Sequence, residues 1–107
     1  MARFTNKVAI ITGGASGIGK KTAEMFVDQG GKVLIGDVDD TEGLKVVNEI
    51  GANFGKKNIS YIHLDVADPD QCQASINKAV NEFGGVHCLL NSAIKMAPGM
   101  LKDLSLS

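Results

Sequence analysis

The sequence is poor in the residue types that mark disulfide-bonded, metal-bound or membrane-spanning chains. Its 107 residues include no tryptophan, one tyrosine, two prolines and two cysteines. Cys72 and Cys88 form no C-x-x-C pair and lie near no histidine cluster, so we predict neither a disulfide nor a zinc site and interpret both as small apolar residues. No apolar run approaches the roughly 18 residues that a transmembrane helix needs, and we expect no membrane partner.

The charge of the chain is nearly balanced. Eleven basic and twelve acidic residues leave a formal net charge of −1, which provides no long-range attraction to nucleic acid. Residues 1–6 lack the apolar stretch of a secretory signal. We therefore expect a cytoplasmic protein with reduced cysteines and no nucleic-acid partner.

What the sequence does have is a short apolar strand, then a glycine-rich turn, then a helical pattern. Residues 7–11 read K-V-A-I-I, and residues 12–19 read T-G-G-A-S-G-I-G. A helix that begins at the carboxyl end of a buried strand directs unpaired N–H groups and its positive dipole end into the crevice above the sheet. A phosphate is the anion most often bound there.

Three glycines in this turn are predicted to have separate roles. We assign Gly13 to the turn itself, Gly17 to the close approach of a pyrophosphate, and Gly19 to packing of the helix. Ser16 and Ile18 belong to the same turn, and we assign them to cofactor binding as well.

A phosphate-binding P-loop is the main rival at these residues. Residues 14–20 satisfy G-x-x-x-x-G-K, but Lys21 stands where a serine or threonine should hold Mg²⁺. Thr22 comes one residue late, and a helix turns by about 100° per residue, so its hydroxyl points away from such a metal. This spacing argues against the P-loop.

The turn resembles the cofactor loop of the short-chain dehydrogenase/reductase family, whose pattern is T-G-x-x-x-G-I-G. The resemblance extends over nearly the whole chain but covers only the first part of the family's fold. It implies an oxidoreductase that interconverts alcohols and ketones by hydride transfer with a nicotinamide dinucleotide.

Asp37 ends the second predicted strand, residues 32–37, and follows Gly19 by 18 residues. This is close to the spacing of the carboxylate that binds the ribose hydroxyls of NAD. The same carboxylate would repel a 2′-phosphate, so we predict NAD as the cofactor. Asp37 could instead be a turn residue or helix cap, but Asp39 and Glu42 already have capping-box spacing.

Two later segments resemble further parts of the family's cofactor site. Asp65 and Val66 stand at the carboxyl end of the third predicted strand, residues 59–65. The matching pair in the family flanks the adenine; an acid that simply ends a strand is the alternative. After the fourth strand, residues 86–90, the sequence N-S-A-I stands where the family usually has N-N-A-G. Asn91 and Ala93 match and are assigned to cofactor binding, whereas Ile94 replaces a glycine.

The alternation of strands and helices predicts the fold class. We expect an α/β, Rossmann-type, doubly wound parallel sheet of four strands in the order 3-2-1-4, with three crossover helices. Residues 1–107 would be a single NAD-binding domain that stops after strand four. The residues predicted to face the sheet are Ile18, Ala23, Phe26 and Val27 in the first helix, Leu44, Val47, Ile50 and Phe54 in the second, and Cys72, Ile76, Ala79, Val80 and Phe83 in the third.

We predict no catalytic and no metal-binding residue in this chain. The family transfers a proton through Tyr-x-x-x-Lys, but Tyr61 is followed four residues later by Asp65. His63 has no partner at a useful sequence spacing and is assigned a structural role. We therefore expect the cofactor-binding portion of a longer enzyme, inactive alone, with its alcohol or carbonyl substrate bound only by the longer form.

Two other function classes stay open at this point. A methyltransferase that binds S-adenosylmethionine also has a glycine turn after strand one and an acid after strand two, and a non-catalytic dinucleotide-binding module would have the same residues. Because the fourth strand would expose an apolar edge, we expect a homo-oligomer, disorder in residues 95–107, or further sequence.

Overall fold

The computed structural model describes residues 3–91, which form one parallel sheet with helices on both faces. The strands are β1 (Val8–Thr12), β2 (Lys32–Asp37), β3 (Ile59–His63) and β4 (Cys88–Asn91), and the helices are α1 (Gly17–Asp28), α2 (Asp40–Phe54) and α3 (Pro69–Phe83), with a short 3-10 helix at Lys56–Asn58. The order β3-β2-β1-β4 confirms the predicted Rossmann-type topology.

The central strand β1 fixes the edge of the sheet at which a ligand could bind. All five residues of β1 are buried, as expected for a strand paired on both sides and covered on both faces. Thr12 at its carboxyl end is in register with Gly36 of β2 and with Asn91 of β4. The carboxyl ends of three strands therefore lie level with one another.

The helices bury opposite faces of the sheet. Helices α1 and α2 pack on the face that carries Ile11 and Ile35, and α3 packs on the face that carries Ile10 and Leu34. Side chains alternate between the two faces along each strand. This arrangement follows from right-handed crossovers, because the chain moves in one direction through β1, β2 and β3 and then returns past β1 to β4.

Helix α2 begins at the predicted capping box, and both ends of α3 are capped as well. The Asp39 side chain accepts a hydrogen bond from the Glu42 amide at 3.1 Å, and the Asp68 side chain accepts one from the Asp70 amide at 3.0 Å, as N-cap residues do. Helix α3 ends at Gly84, whose φ of 90° lies in the left-handed region that favours glycine.

Several sequence-based details were wrong. Ile18 is 76% exposed and Leu44 is 50% exposed, whereas Val46 is 3% exposed and forms part of the core. An apolar stripe shows that one side of a helix is buried but leaves the rotation about the helix axis uncertain. In α2 the buried side includes Gly43, which packs on the Tyr61 ring. Strand β3 ends two residues earlier than predicted.

The fourth strand and its cysteine also differ from the prediction. Strand β4 begins at Cys88, not at Val86, and the preceding His87 uses its Nδ1 atom to accept a hydrogen bond from the Val8 amide at 3.0 Å. The two cysteines were both interpreted as small apolar residues. That holds for the buried Cys72, but Cys88 is exposed.

The corrected orientation of α2 can be tested by paired truncations. We expect Val46→Ala to lower the free energy of unfolding by about 1–3 kcal/mol, because it removes methyl groups from a closed core. Leu44→Ala should change it by less than about 0.5 kcal/mol, since this exposed helix site loses little buried area. Urea denaturation of both variants checks this, and equal losses would contradict the orientation.

Candidate cofactor-binding site

The loop between β1 and α1 is tightly ordered by its own hydrogen bonds. Gly13 has a φ of 68°, a left-handed conformation that favours glycine. Ser16 is the N-cap of α1, and its hydroxyl donates to the Gly13 carbonyl at 2.8 Å and accepts from the Gly19 amide at 3.3 Å. The Gly19 residue is buried, in keeping with its predicted packing role.

The first turn of α1 leaves donors for a ligand. The first backbone bond within the helix runs from the Lys20 amide to the Ser16 carbonyl at 2.8 Å, and the Gly19 amide is capped by the Ser16 side chain. The earlier amides, those of Gly17 and Ile18, lie at exposed positions before any helical acceptor. Exposed amides at the positive end of a helix dipole are where an anion such as phosphate binds most readily.

Two glycines of the loop lack a side chain for different reasons. A Cβ on Gly14 would lie 2.5 Å from Cγ2 of Ile35 and 3.1 Å from the Ile11 carbonyl oxygen, so protein packing occupies its space. A Cβ on Gly17 would meet nothing within 4 Å. The space beside Gly17 is open and fits a group that approaches the helix terminus from outside.

Asp37 lies directly beside this loop. One carboxylate oxygen accepts a hydrogen bond from the Ala15 amide at 3.0 Å, and the other accepts one from the Asp39 amide at 3.0 Å. The turn role considered for Asp37 is therefore real, but it uses only part of the carboxylate. Two oxygens offer about four lone-pair positions, which leaves acceptor capacity for two hydroxyl groups.

Asn91 and Thr12 close the same edge on the other side. The Thr12 hydroxyl donates to the Asn91 side-chain oxygen at 2.8 Å, across the pair that the β1–β4 register places opposite each other. Asn91 thus braces the two strand ends. Ala93, the other residue assigned from this segment, lies outside the described residues.

Asp65 and Val66 follow the end of β3. The Asp65 side chain accepts a hydrogen bond from the Ala67 amide at 2.9 Å and remains exposed, whereas Val66 packs against the small cluster of Leu64 and Cys72. The preceding Leu64 amide donates to the Asp37 carbonyl at 2.9 Å, which ties this segment to the end of β2.

A polar cluster beside Asp37 was missed by the sequence analysis. The Tyr61 hydroxyl contacts the Asp37 carbonyl at 2.8 Å and also the Asp40 carboxylate. His63 Nδ1 lies 2.7 Å from the same Asp40 oxygen, so the carboxylate partner thought to be absent comes from α2. The bonds from Tyr61 and then His63 hold the pKa of the Asp40 carboxyl below its usual range.

Lys20 does not take the position that a P-loop lysine would need. Its ammonium group lies 2.7 Å from the Glu49 carboxylate of α2, and this hydrogen bond and charge pair raise the pKa of Lys20 and lower that of Glu49. The lysine therefore links α1 to α2 on the outer surface of the molecule.

A metal centre and a membrane-spanning helix are both absent from residues 3–91. This part of the chain brings together no three histidine, cysteine or acidic side chains that could hold a metal ion. It also contains no helix long and apolar enough to cross a membrane.

Comparison with known proteins places this geometry in a family. A family model described as short chain dehydrogenase matches residues 7–107. The chain belongs to the short-chain dehydrogenase/reductase family. For this family member the methyltransferase alternative is set aside, because the match includes both the glycine loop and Asn91.

Individual members of the family are similar to this chain over most of its length. (+)-Borneol dehydrogenase 1 from Salvia officinalis is 44% identical over 91 residues, which are 85% of this chain and 33% of that protein. A short-chain dehydrogenase/reductase from Burkholderia phymatum, solved with NAD, has a TM-score of 0.76 and 35% identity over 83% of this chain and 31% of that chain.

A third similar protein was solved with the other dinucleotide. The C-domain of a bacterial malonyl-CoA reductase, with NADP, has a TM-score of 0.79 and 25% identity over 86% of this chain and 15% of that chain. The present chain spans 31% to 41% of the length of the curated relatives it matches.

The different surroundings of the two loop glycines give a paired test. Gly17→Ala should leave stability within about 0.5 kcal/mol of the wild type, since the added methyl group meets no protein atom and alanine favours helices. It should weaken binding of a dinucleotide about tenfold or more, because the methyl group fills the approach to the helix amides. Gly14→Ala should instead destabilise the fold by about 1–3 kcal/mol.

Thermal denaturation and calorimetric titration with NAD of the protein that carries this chain would measure both effects. Equal NAD affinity of Gly17→Ala and the wild type would contradict a ligand at this terminus.

The low pKa of Asp40 predicts a pH dependence of stability. A carboxyl group whose pKa is lower in the folded chain than in the unfolded chain stabilises the fold at pH values above its unfolded-state pKa. This stabilisation is lost as the pH falls through its folded-state pKa. We expect Asp40→Asn to be less stable than the wild type at neutral pH, with a difference that shrinks as the pH falls below 3.8, the ordinary value.

Urea denaturation at a series of pH values measures this difference. Asp28→Asn is the matched control, because Asp28 is exposed at the end of α1 and contacts no member of the cluster. A difference between Asp40→Asn and the wild type that is independent of pH would disprove the role of the Asp40 charge.

Proposed function

We propose that this chain is the NAD-binding part of an oxidoreductase that interconverts an alcohol and a carbonyl compound. The observation that carries the proposal is the Asp37 carboxylate, held 3.0 Å from the Ala15 amide in the loop that leads into α1. An anion-binding helix terminus and an acceptor for sugar hydroxyls thereby stand side by side. A dinucleotide carries both a diphosphate and an adjoining ribose, so it complements both features.

Each part of the proposed site has one task. The exposed amides of Gly17 and Ile18 would bind the diphosphate, with Ser16 ending the loop. Asp37 would accept hydrogen bonds from the ribose hydroxyls. Asp65 and Val66 would lie by the adenine, and Asn91 with Ala93 would line the path toward the nicotinamide. When bound, NAD supplies the hydride acceptor, and the protein supplies orientation.

The preference for NAD over NADP rests on charge. A 2′-phosphate at the ribose would face the Asp37 carboxylate, and the flanking Ala15 and Ser16 offer no cation to offset it. Lys20, the first basic residue of α1, forms an ion pair with Glu49. Similar folds have been solved with either dinucleotide, so this proposal depends on Asp37 and not on the fold.

Tyr61 is not proposed as the proton-transfer residue. Burial first, and then the hydrogen bond to Asp40, raise the pKa of its hydroxyl, which is the wrong direction for an acid that must act near neutral pH. We infer that residues 3–91 bind and orient the cofactor, and that proton transfer in the whole protein uses other residues. We also propose a cytoplasmic location for the whole protein, since Cys72 and Cys88 are free thiols, as is usual in a reducing compartment.

A pair of neutralising substitutions tests the cofactor assignment. Asp37→Asn should weaken NAD binding by about tenfold, because hydrogen bonds to a charged acceptor are stronger than those to a neutral one. The same change should improve NADP binding, since the repulsion of the 2′-phosphate disappears. Asp39→Asn removes a neighbouring charge but retains a side-chain oxygen for the helix cap, and should leave NAD binding within about twofold of the wild type.

Titration calorimetry with NAD and with NADP, on the protein that carries this chain, measures these changes. If the unmodified protein binds NADP more tightly than NAD, the assignment of Asp37 is wrong. If it binds neither, the proposed function fails as a whole.

A further inference from the structure

Three residues from two elements hold the end of β2 from the side away from the glycine loop. We call Tyr61, Asp40 and His63 the Tyr61 clamp. The Tyr61 hydroxyl has one proton and two acceptors within reach, the Asp37 carbonyl at 2.8 Å and the Asp40 carboxylate, so it forms a three-centre hydrogen bond with both. His63 Nδ1 lies 2.7 Å from the same Asp40 oxygen and holds that carboxylate in place beside the hydroxyl.

The tyrosine ring is seated closely against α2. A Cβ on Gly43 would lie 2.1 Å from Cε1 of Tyr61, so the ring occupies the space that any other residue at position 43 would need. Tyr61 is paired with Ile35 in the sheet register. From there its side chain runs along β2 and reaches the carbonyl of Asp37, two residues further on.

The contacted carbonyl belongs to the residue that carries the ribose-binding carboxylate. The Asp37 carbonyl accepts a hydrogen bond from the amide of Leu64, which follows β3, at 2.9 Å, and it shares the Tyr61 hydroxyl proton with Asp40. Two donors therefore hold the peptide group that follows Asp37. That peptide group starts the turn in which the Asp39 amide donates back to the Asp37 side chain at 3.0 Å. The orientation of the carboxylate therefore depends on the orientation of this peptide group.

We propose that Tyr61 is a positioning residue for Asp37 and that it sets the preference for NAD over NADP. The inference rests on the proposed function, because it assigns a selectivity role within the same site. Tyr61 itself does not touch the cofactor in this scheme. It acts through the Asp37 main chain.

The two dinucleotides respond differently to a displaced carboxylate. Hydrogen bonds to the ribose hydroxyls weaken steeply when distance or angle departs from the optimum. The repulsion of a 2′-phosphate decreases only with the inverse of the distance. A displacement of about 1 Å would thus weaken NAD binding and leave NADP binding nearly unchanged, so selectivity falls.

The test compares the loss of two hydroxyls from neighbouring residues of β3. Tyr61→Phe keeps the ring packed on α2 and removes only the hydroxyl. Ser60→Ala is the matched control, because the Ser60 hydroxyl contacts Glu82 of α3, on the opposite face of the sheet, at 3.2 Å.

We expect Tyr61→Phe to weaken NAD binding about tenfold, the effect of one ordinary hydrogen bond, and to leave NADP binding within about twofold of the wild type. Ser60→Ala should change neither affinity. Calorimetric titration of the protein that carries this chain with NAD and with NADP measures the ratio of the two affinities in each variant. An unchanged NAD-to-NADP ratio in Tyr61→Phe would overturn the proposal, as would an equal change in Ser60→Ala.

A second measurement needs no nucleotide and separates this inference from the proposed function. The Ala15 and Asp39 amides both donate to the Asp37 carboxylate, so their hydrogen exchange reports whether that carboxylate is held. Both should exchange faster in Tyr61→Phe and at the wild-type rate in Ser60→Ala. Unchanged exchange in Tyr61→Phe would disprove the clamp. Faster exchange in Tyr61→Phe, together with a wild type that binds no NAD, would disprove only the proposed function.

Discussion

The hydrogen bond between the Ala15 amide and the Asp37 carboxylate is the contact on which the site depends. It joins the loop after β1 to the end of β2 at 3.0 Å. The backbone supports the same connection, since the Gly13 amide donates to the Gly36 carbonyl at 2.7 Å. Because the strands are parallel and in register, both segments end at one edge of the sheet. The fold thus places the glycine loop beside Asp37, and these two hydrogen bonds hold them together.

The surroundings of the loop separate structural from binding requirements. Gly14 is small because Ile35 and the β1 backbone fill the space beside it, while Gly17 is small next to open space. Protein packing therefore requires a glycine at position 14 but not at position 17, where the open space leaves room for a group from outside the chain.

Much of the fold could be predicted from the sequence, because it depends on local patterns. The alternation of apolar strands with amphipathic helices predicted the sheet order, and the capping-box spacing of Asp39 and Glu42 marked the start of α2. The glycine loop and Asp37 were identified for the same reason: a strand, a turn and a helix follow one another directly. Their adjacency required only the parallel register.

What could not be predicted depends on contacts between distant segments. Leu44 fits the helical stripe, yet α2 is rotated so that Val46 is buried instead. The clamp around Tyr61 joins residues that lie 21 to 24 positions apart, and no spacing rule connects them. His63 had no visible partner for the same reason, since Asp40 belongs to a helix that precedes it in the chain.

The contact between Gly43 and the ring of Tyr61 has an evolutionary consequence. Since the ring fills the volume of a side chain at position 43, the two positions should covary among relatives: a larger residue at 43 becomes permissible only where the residue at 61 is small. Such an exchange would also remove the hydroxyl that reaches the end of β2. In relatives with such an exchange, other residues would have to hold the acid at position 37.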